Sequence, residues 1–268
     1  MKEVFRDALS AIDAGDVSTL EGLLAAHPGL VRDRIDYGTE EYFRNPYLLW
    51  FVAENPIRNG KLPKNIAQAT QAILRAMDRE RVESFREQID YALGLVCSGK
   101  VARECGVQRE LIDVLADAGA DPSGALVSAL AHREVDAVER LLERGARLTL
   151  LAAACTGRTD DFTRLAREAS AEERQAALAG AALYGRADAL ATLIDLGVDL
   201  NAFNPPGFHA HGTALHHAVD SGSLDAVKAL VEAGADPGTE DRLFHATPLG
   251  WADYLQRPEI AAYLRTVT

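Results

Sequence analysis

Apolar residues recur at helical spacing ahead of four glycines, and each glycine opens a similar tetrad. The tetrads GADP, GARL, GVDL and GADP lie at residues 119–122, 145–148, 197–200 and 234–237. Counting back ten, seven, four and three residues from Gly234 reaches Leu224, Val227, Leu230 and Val231. Because this spacing puts the four side chains on one face of an α-helix, each ladder predicts an amphipathic helix that ends at a glycine.

Shorter, alanine-rich helices are predicted ahead of the ladders, for example over residues 124–132, 148–157, 175–185 and 213–222. The repeating unit is therefore a short helix, a tight turn, a longer helix and a glycine stop. One pair of helices cannot bury its apolar face alone, so successive pairs are expected to stack. This pattern predicts an all-α solenoid of about eight helix-turn-helix pairs.

The first third of the chain follows the pattern less closely. Helix pairs are predicted over 4–31, over 46–54 with 65–78, and over 89–99 with 107–121. Long connectors separate the helices of the second and third pairs. We expect one domain over residues 1–268, with divergent repeats over 1–106 and more regular repeats over 107–268.

Two segments carry a family signature. The segment TALHHAVDSGSLDAVKALVEAGADP at 213–237 resembles the ankyrin repeat family, because it matches the T-P-L-H-x-A signature with Ala214 in place of proline. Its glycine-containing turn and terminal Gly-Ala-Asp also match. The segment at 246–264 is similar, with Gly250 in the histidine position of the signature. The resemblance is strong over 107–268, and the sequence looks most like bacterial ankyrin proteins.

The resemblance implies that short inner helices and loops, called fingers, form a groove for another macromolecule. Units of 26 residues, such as the one between the first two tetrads, leave no room for a full finger. The 37-residue interval between Gly197 and Gly234 does leave room, and it places the first finger at 201–212. A second finger is expected at 238–246. Fingers elsewhere are predicted to be short or missing.

We expect a protein partner to bind where the fingers are longest. The predicted contact residues lie on the two fingers and on the helices beside them: Phe203, Phe208, His209, His211, Asp220, Ser221, Phe244, His245, Tyr254 and Leu255. Phenylalanine rings at loop tips are costly to expose and often anchor interfaces. The alternative is that these rings fold back onto their own finger, since a long loop can pack its own side chains.

Two adjacent histidines are expected to be structural. His216 occupies the histidine position of the signature, and the resemblance implies an imidazole that hydrogen-bonds neighbouring backbone groups, with Thr213 as the N-cap. His217 follows directly and points about 100° away around the helix, so the two rings cannot converge on one atom. We expect His217 to pack between repeats.

The histidines of the fingers allow a second interpretation. His209, His211 and His245 could lie on one side of the two fingers and form a small-molecule or zinc site, either in a binding protein or in an enzyme. Such a site needs all three ring nitrogens near 2 Å from one point, and nothing in the spacing forces that convergence. The sequence therefore favours hydrogen bonding or partner contact for these histidines, and no metal or cofactor is assigned.

Charge and motifs narrow the class of partner. The chain has 28 basic and 40 acidic residues, a net charge of −12, and residues 107–268 carry −10 of it. An acidic surface repels phosphate backbones, which argues against nucleic acid and favours a protein partner with a basic face. Phosphate-binding loops, metalloprotease motifs and nucleophile elbows are absent from the sequence, so a binding protein is favoured over an enzyme.

The compartment is inferred from what the chain lacks. Its longest apolar run, at 148–155, is too short to cross a bilayer, and the charged N-terminus does not look like a signal peptide. Cys97, Cys105 and Cys155 are widely spaced, as expected for thiols in a reducing compartment. These features predict a cytoplasmic protein without membrane contact, and a monomer is expected rather than an oligomer.

Overall fold

A computed structural model describes residues 2–36 and 43–268, and helices dominate both ranges. No β-strand forms within these ranges, where one isolated antiparallel bridge joins Phe203 to Thr213. None of the helices in the described ranges is long and apolar enough to cross a membrane. The predicted all-α class is confirmed. The chain divides into two compact units, Met1–Arg147 and Leu148–Thr268.

The described part of the N-terminal unit holds four helix pairs. Its helices are α1 (Lys2–Ala14), α2 (Val17–Ala26), the short α3 (Gly29–Arg32), a 3₁₀ helix (Leu48–Ala53), α4 (Ile66–Arg79), α5 (Phe85–Ser98), the short α6 (Lys100–Glu104), α7 (Gln108–Asp117), α8 (Pro122–Ala131) and α9 (Val135–Glu143). The pairs are α1 with α2, the 3₁₀ helix with α4, α5 with α7, and α8 with α9. First helices pack on first helices and second helices on second helices, in chain order.

The segment 46–54, expected to be the first helix of a pair, forms only the short 3₁₀ helix. All six of its residues are buried, so it has no polar face and does not follow an amphipathic pattern. Its Trp, Phe and Val side chains are poorer helix formers than alanine, and Pro56 follows closely. The carboxylate of Glu54 then fixes the connector, since it accepts backbone hydrogen bonds from Arg58 at 2.8 Å and Gly60 at 3.0 Å.

The C-terminal unit holds four more pairs. Its helices are α10 (Leu150–Thr156), α11 (Thr159–Glu168), α12 (Ala171–Leu183), α13 (Ala187–Asp195), α14 (Ala214–Ser221), α15 (Leu224–Glu232), α16 (Pro248–Tyr254) and α17 (Pro258–Val267). The even-numbered helices pack on one another in chain order, as do the odd-numbered helices. The eight pairs of the described residues match the expected number. That they form one domain over 1–268 stays a prediction.

Small residues let the helices of this unit approach closely. The ladder residues Val227 and Leu230 of α15 are fully buried, as predicted. Gly234 ends this helix with φ 103°, a left-handed conformation that glycine adopts without steric cost. Within α12, a Cβ at Gly180 would collide with the side chains of Leu151 and Cys155. The contact between α10 and α12 therefore depends on glycine at that position.

The cysteines are free thiols with structural positions. Cys97 and Cys155 are buried, and burial raises the pKa of both thiols. The sulfur of the half-buried Cys105 accepts a hydrogen bond from the backbone N–H of Leu62 at 3.3 Å. Because a reactive thiol needs a lowered pKa, Cys97 and Cys155 act as small core side chains.

Candidate functional site

The first finger folds back onto its own unit. The Phe203–Thr213 bridge and a 2.9 Å hydrogen bond from the Asn204 N–H to the Gly212 carbonyl close its base. Inside this loop the ring of Phe208 is only 1% exposed. A partner cannot reach a ring in that position, so the assignment of Phe208 as a contact residue is corrected. The loop is long enough to cover the apolar ring, which removes the cost of exposing it.

Phe203 is also partly withdrawn from solvent. It is half-buried, and the guanidinium of Arg242 lies 3.8 Å from the centre of its ring. This cation–π contact joins the first finger to the second finger. Phe203 therefore helps to position the second finger.

Three imidazoles meet beside the first finger. The rings of His209, His211 and His217 lie 5.1–6.1 Å apart between centroids. His217 is buried, whereas His209 and His211 are half-buried. Burial, together with the neighbouring rings of His209 and His211, lowers the pKa of His217 to about 3. His217 is thus neutral near pH 7 and packs 5.7 Å from the ring of Trp251, in keeping with its predicted packing role.

The third histidine of the predicted trio is not part of this cluster. His245 is exposed on the second finger, and no ring contact joins it to His209 or His211 in the described part of the chain. Residues 2–36 and 43–268 contain no group of three or more His, Cys, Asp or Glu side chains that could hold a metal ion. The sequence placed the wrong histidine beside His209 and His211, because α14 rather than the second finger supplies the third ring.

His216 has the structural role that was predicted. The backbone N–H of Thr213 donates to its Nδ1 at 3.2 Å, and the Thr213 hydroxyl lies 2.9 Å from the same atom. Because Nδ1 accepts, the ring proton is assigned to Nε2, which donates to the Ala246 carbonyl at 3.1 Å. One imidazole therefore caps the start of α14 and holds the second finger.

A single carboxylate organises the second finger. The buried Asp241 accepts backbone hydrogen bonds from Leu243, Phe244 and Ala246 at 2.7–3.1 Å, and the indole N–H of Trp251 donates to it at 2.9 Å. Burial alone would raise the pKa of Asp241, but these donors lower it to about 2. The ionised carboxylate holds a tight turn from which Leu243 and Phe244 project, 60% and 67% exposed.

An apolar pocket of about 410 Å³ lies between the second finger, the end of α14 and α16. Its lining residues are Asp220, Phe244, Ala246, Gly250, Trp251, Tyr254 and Leu255. Four predicted contact residues therefore meet at one place, although they lie up to 35 positions apart in the chain. Tyr254, at its edge, is 86% exposed.

Ser221 has a local role instead. Its hydroxyl donates to the Ala218 carbonyl at 2.6 Å and accepts from the Ser223 N–H at 3.1 Å. Both bonds shape the turn between α14 and α15. The hydroxyl is thus engaged within the chain, and Ser221 does not line the pocket.

Comparison with known families bears on the whole C-terminal unit. A family model of ankyrin repeats, built from three copies, matches residues 150–241 and, in an overlapping alignment, residues 181–266. These matches span the four helix pairs from α10 to α17. Residues 150–266 thus match the ankyrin repeat family. A search of curated proteins finds no match to the chain.

The last two ankyrin repeats differ at the histidine of the signature. His216 fills that position in the first of them, whereas Gly250 leaves it without a side chain in the next. A Cβ at Gly250 would lie 3.4 Å from the Cβ of Ala246, an ordinary contact. The sequence alone shows that glycine replaces the histidine of the signature at this position. The structure adds that this position, without a side chain, lines the pocket.

Three further residues at the pocket and the second finger were not singled out from the sequence. Leu243 is exposed beside Phe244, and Trp251 and Ala246 line the pocket. The indole N–H of Trp251 also donates a hydrogen bond to Asp241, and its ring packs against His211 and His217. The signal available in advance was the order of apolar letters in RLFHA and PLGWADYL, which places large side chains on both sides of Gly250.

Proposed function

We propose that the ankyrin repeats of the C-terminal unit bind a partner protein through the second finger and α16. Ankyrin repeats are generally protein–protein interaction modules. The observation that carries the proposal is the exposure of Leu243, Phe244 and Tyr254 around one apolar pocket. Clustered exposed apolar side chains mark interaction sites, because their burial by a partner releases ordered water.

The rigidity of the second finger supports this role. Asp241 fixes its turn, and His216 fixes its end through the Ala246 carbonyl. A loop that is already ordered loses little conformational entropy when a partner binds. Phe244 is therefore presented in a fixed position before the partner arrives.

The chain's charge supports a basic-faced protein as the partner and argues against nucleic acid. The C-terminal unit, residues 148–268, contains 16 acidic and nine basic residues. Such a surface attracts basic proteins and repels phosphate backbones. We further propose that the chain acts as a monomeric cytoplasmic binding module without membrane contact or catalytic activity of its own, since ankyrin repeats are typically non-enzymatic.

Site-specific photocrosslinking tests the proposal. The protein is expressed in the source cell with a photoreactive phenylalanine analogue in place of Phe244 or Tyr254. A matched control carries the analogue in place of Leu196, which is 39% exposed at the end of α13. We expect one defined protein to be captured from positions 244 and 254 and not from position 196. Capture of the same proteins from all three positions, or of none, would contradict the proposed function.

A further inference from the structure

We propose that the pocket beside Gly250 receives a large apolar side chain of the partner, and that a lysine or arginine adjacent to that side chain contacts the acidic surface around the pocket. The recognised element is thus a short segment in which an apolar anchor and a basic residue are neighbours. This inference rests on the proposed function and gives the partner a chemistry.

The pocket has the size and the lining for an apolar anchor. At about 410 Å³ it falls within the range of roughly 300–1,000 Å³ that is typical of binding pockets. Six of its seven lining residues are apolar, aromatic or glycine, and Asp220 is the charged one. Large side chains that enter such a pocket usually supply most of the energy of an interface.

Gly250 helps to keep the pocket open. It is the third residue of α16, within the first turn of the helix. Its φ is not in the left-handed region, and a Cβ would make only ordinary contacts. The backbone therefore does not require glycine here. A side chain at this position would begin beside Ala246, which also lines the pocket, so its absence leaves that space free.

The charge of this part of the chain determines which kind of partner residue is favoured next to the apolar anchor. Residues 187–268, which surround it in sequence, contain 11 acidic and four basic residues. Each of the four basic side chains is engaged within the chain, by an aromatic ring, a carbonyl or a carboxylate: Lys228, Arg242, Arg257 and Arg265. Residues 187–268 carry a net charge of 4 − 11 = −7, and Asp220 is the charged residue of the pocket lining, which favours a basic residue beside the anchor and disfavours an acidic one.

Peptide display with three forms of the full chain as bait tests the inference. The baits are the wild-type protein, Gly250→Leu, whose side chain fills the pocket, and Gly250→Ala, which adds a Cβ and leaves most of the space. Circular dichroism and thermal melting confirm that both variants fold. We expect wild type and Gly250→Ala to enrich peptides with a large apolar residue next to Lys or Arg, and Gly250→Leu to lose them.

Fluorescence polarisation of one enriched peptide then separates the two parts of the inference. Gly250→Leu and Tyr254→Ala should each weaken binding at least about tenfold, because both remove contacts with the anchor. The second variant changes an 86% exposed side chain, so it tests the pocket without a risk to folding. Replacing the basic residue of the peptide by glutamine should weaken binding about two- to fivefold, the effect of an exposed charge pair.

Several results would overturn the inference. These are enrichment that persists on Gly250→Leu, enrichment of acidic neighbours, enrichment of no peptide at all, or a concentration-dependent dimer of the chain that Gly250→Leu abolishes. The first three would leave the photocrosslinking result for positions 244 and 254 intact, so the proposed function could stand while this inference fails. A dimer would instead make a second copy of the chain the occupant.

Discussion

The two fingers of the C-terminal unit treat their aromatic rings in opposite ways. The first finger has twelve residues and buries Phe208 to 1% exposure, whereas the second finger leaves Phe244 67% exposed. Both were expected to offer rings to a partner. The comparison shows that a longer loop is not a larger binding surface, because extra length allows a loop to form its own small core.

The second finger is held open by its hydrogen bonds. Its backbone N–H groups at 243, 244 and 246 all point at Asp241 inside the turn. Once the carboxylate occupies the inside of the turn, the side chains of Leu243 and Phe244 lie outside. A buried acid thus exposes two apolar side chains, which is an arrangement expected at a site that binds.

Replacing Phe208 by alanine should give the largest loss of stability. A buried phenylalanine leaves a cavity when truncated, so we expect the free energy of unfolding to fall by about 3–5 kcal/mol. Urea unfolding followed by circular dichroism measures the change. Phe208→Leu serves as the control and should recover much of the loss. A loss below about 1 kcal/mol for the alanine variant would show that the first finger does not bury its ring.

Asp241→Ala should loosen the second finger. The substitution leaves three backbone N–H groups and the Trp251 indole without their acceptor, and we expect a loss of about 2–4 kcal/mol. Amide hydrogen exchange should increase over 241–251 and stay unchanged over α12. Glu240→Ala, a neighbouring exposed acid, is the matched control. Equal exchange in the Asp241 variant and the control would count against a turn held by this carboxylate.

Acid should destabilise the first finger through His217. Its folded pKa of about 3 lies below the unfolded value of about 6.5, so the unfolded state takes up the proton first. The stability is fully present above pH 6.5 and falls as the pH decreases toward 3. Between pH 7 and pH 5 we expect a loss of about 2 kcal/mol from this group.

His217→Leu should flatten that pH dependence, as measured by urea unfolding at each pH. His209, His211 and His216 face the same ring, and burial also lowers the pKa of His216, so part of the slope should remain. His245→Gln changes an exposed ring and should leave the slope unaltered. An unchanged slope in the His217 variant would mean that the buried imidazole does not sense pH.

Phe244→Ala should have the smallest effect on stability, within about 0.5 kcal/mol, because its ring is mostly exposed. The same variant should weaken partner capture. Thermal melting and crosslinking from position 254 provide the two measurements. A large loss of stability would show that the second finger depends on its ring for folding, as the first finger does.

Local periodicity made most of the fold predictable. The ladder ending at Gly234 predicted α15 and its buried face, and the signature around Thr213 predicted the capping role of His216. The segment at 46–54 was missed as a 3₁₀ helix, since burial on all sides removes the periodic pattern. The apolar spacing of a helix involves residues that are close together in the sequence, so it can be recognised from one sequence alone.

The site was less predictable because it depends on residues far apart in the chain. Which ring is exposed follows from the contact of Asp241 with Trp251 and of Arg242 with Phe203. The cluster of imidazoles depends on the packing of α14 against the first finger. From the sequence we therefore grouped His245, and not His217, with His209 and His211. Spacing predicts which residues are available, and tertiary packing decides which of them meet.

The second finger is attached to the preceding repeat by the bond from His216 to Ala246 and by a 2.8 Å bond from the Arg242 N–H to the His211 carbonyl. Because Arg242 also contacts the ring of Phe203, this loop would keep its orientation on a designed repeat scaffold only if residues 203–255 were transplanted as one block. A graft of the loop alone would keep its amino-acid sequence but would lose its orientation.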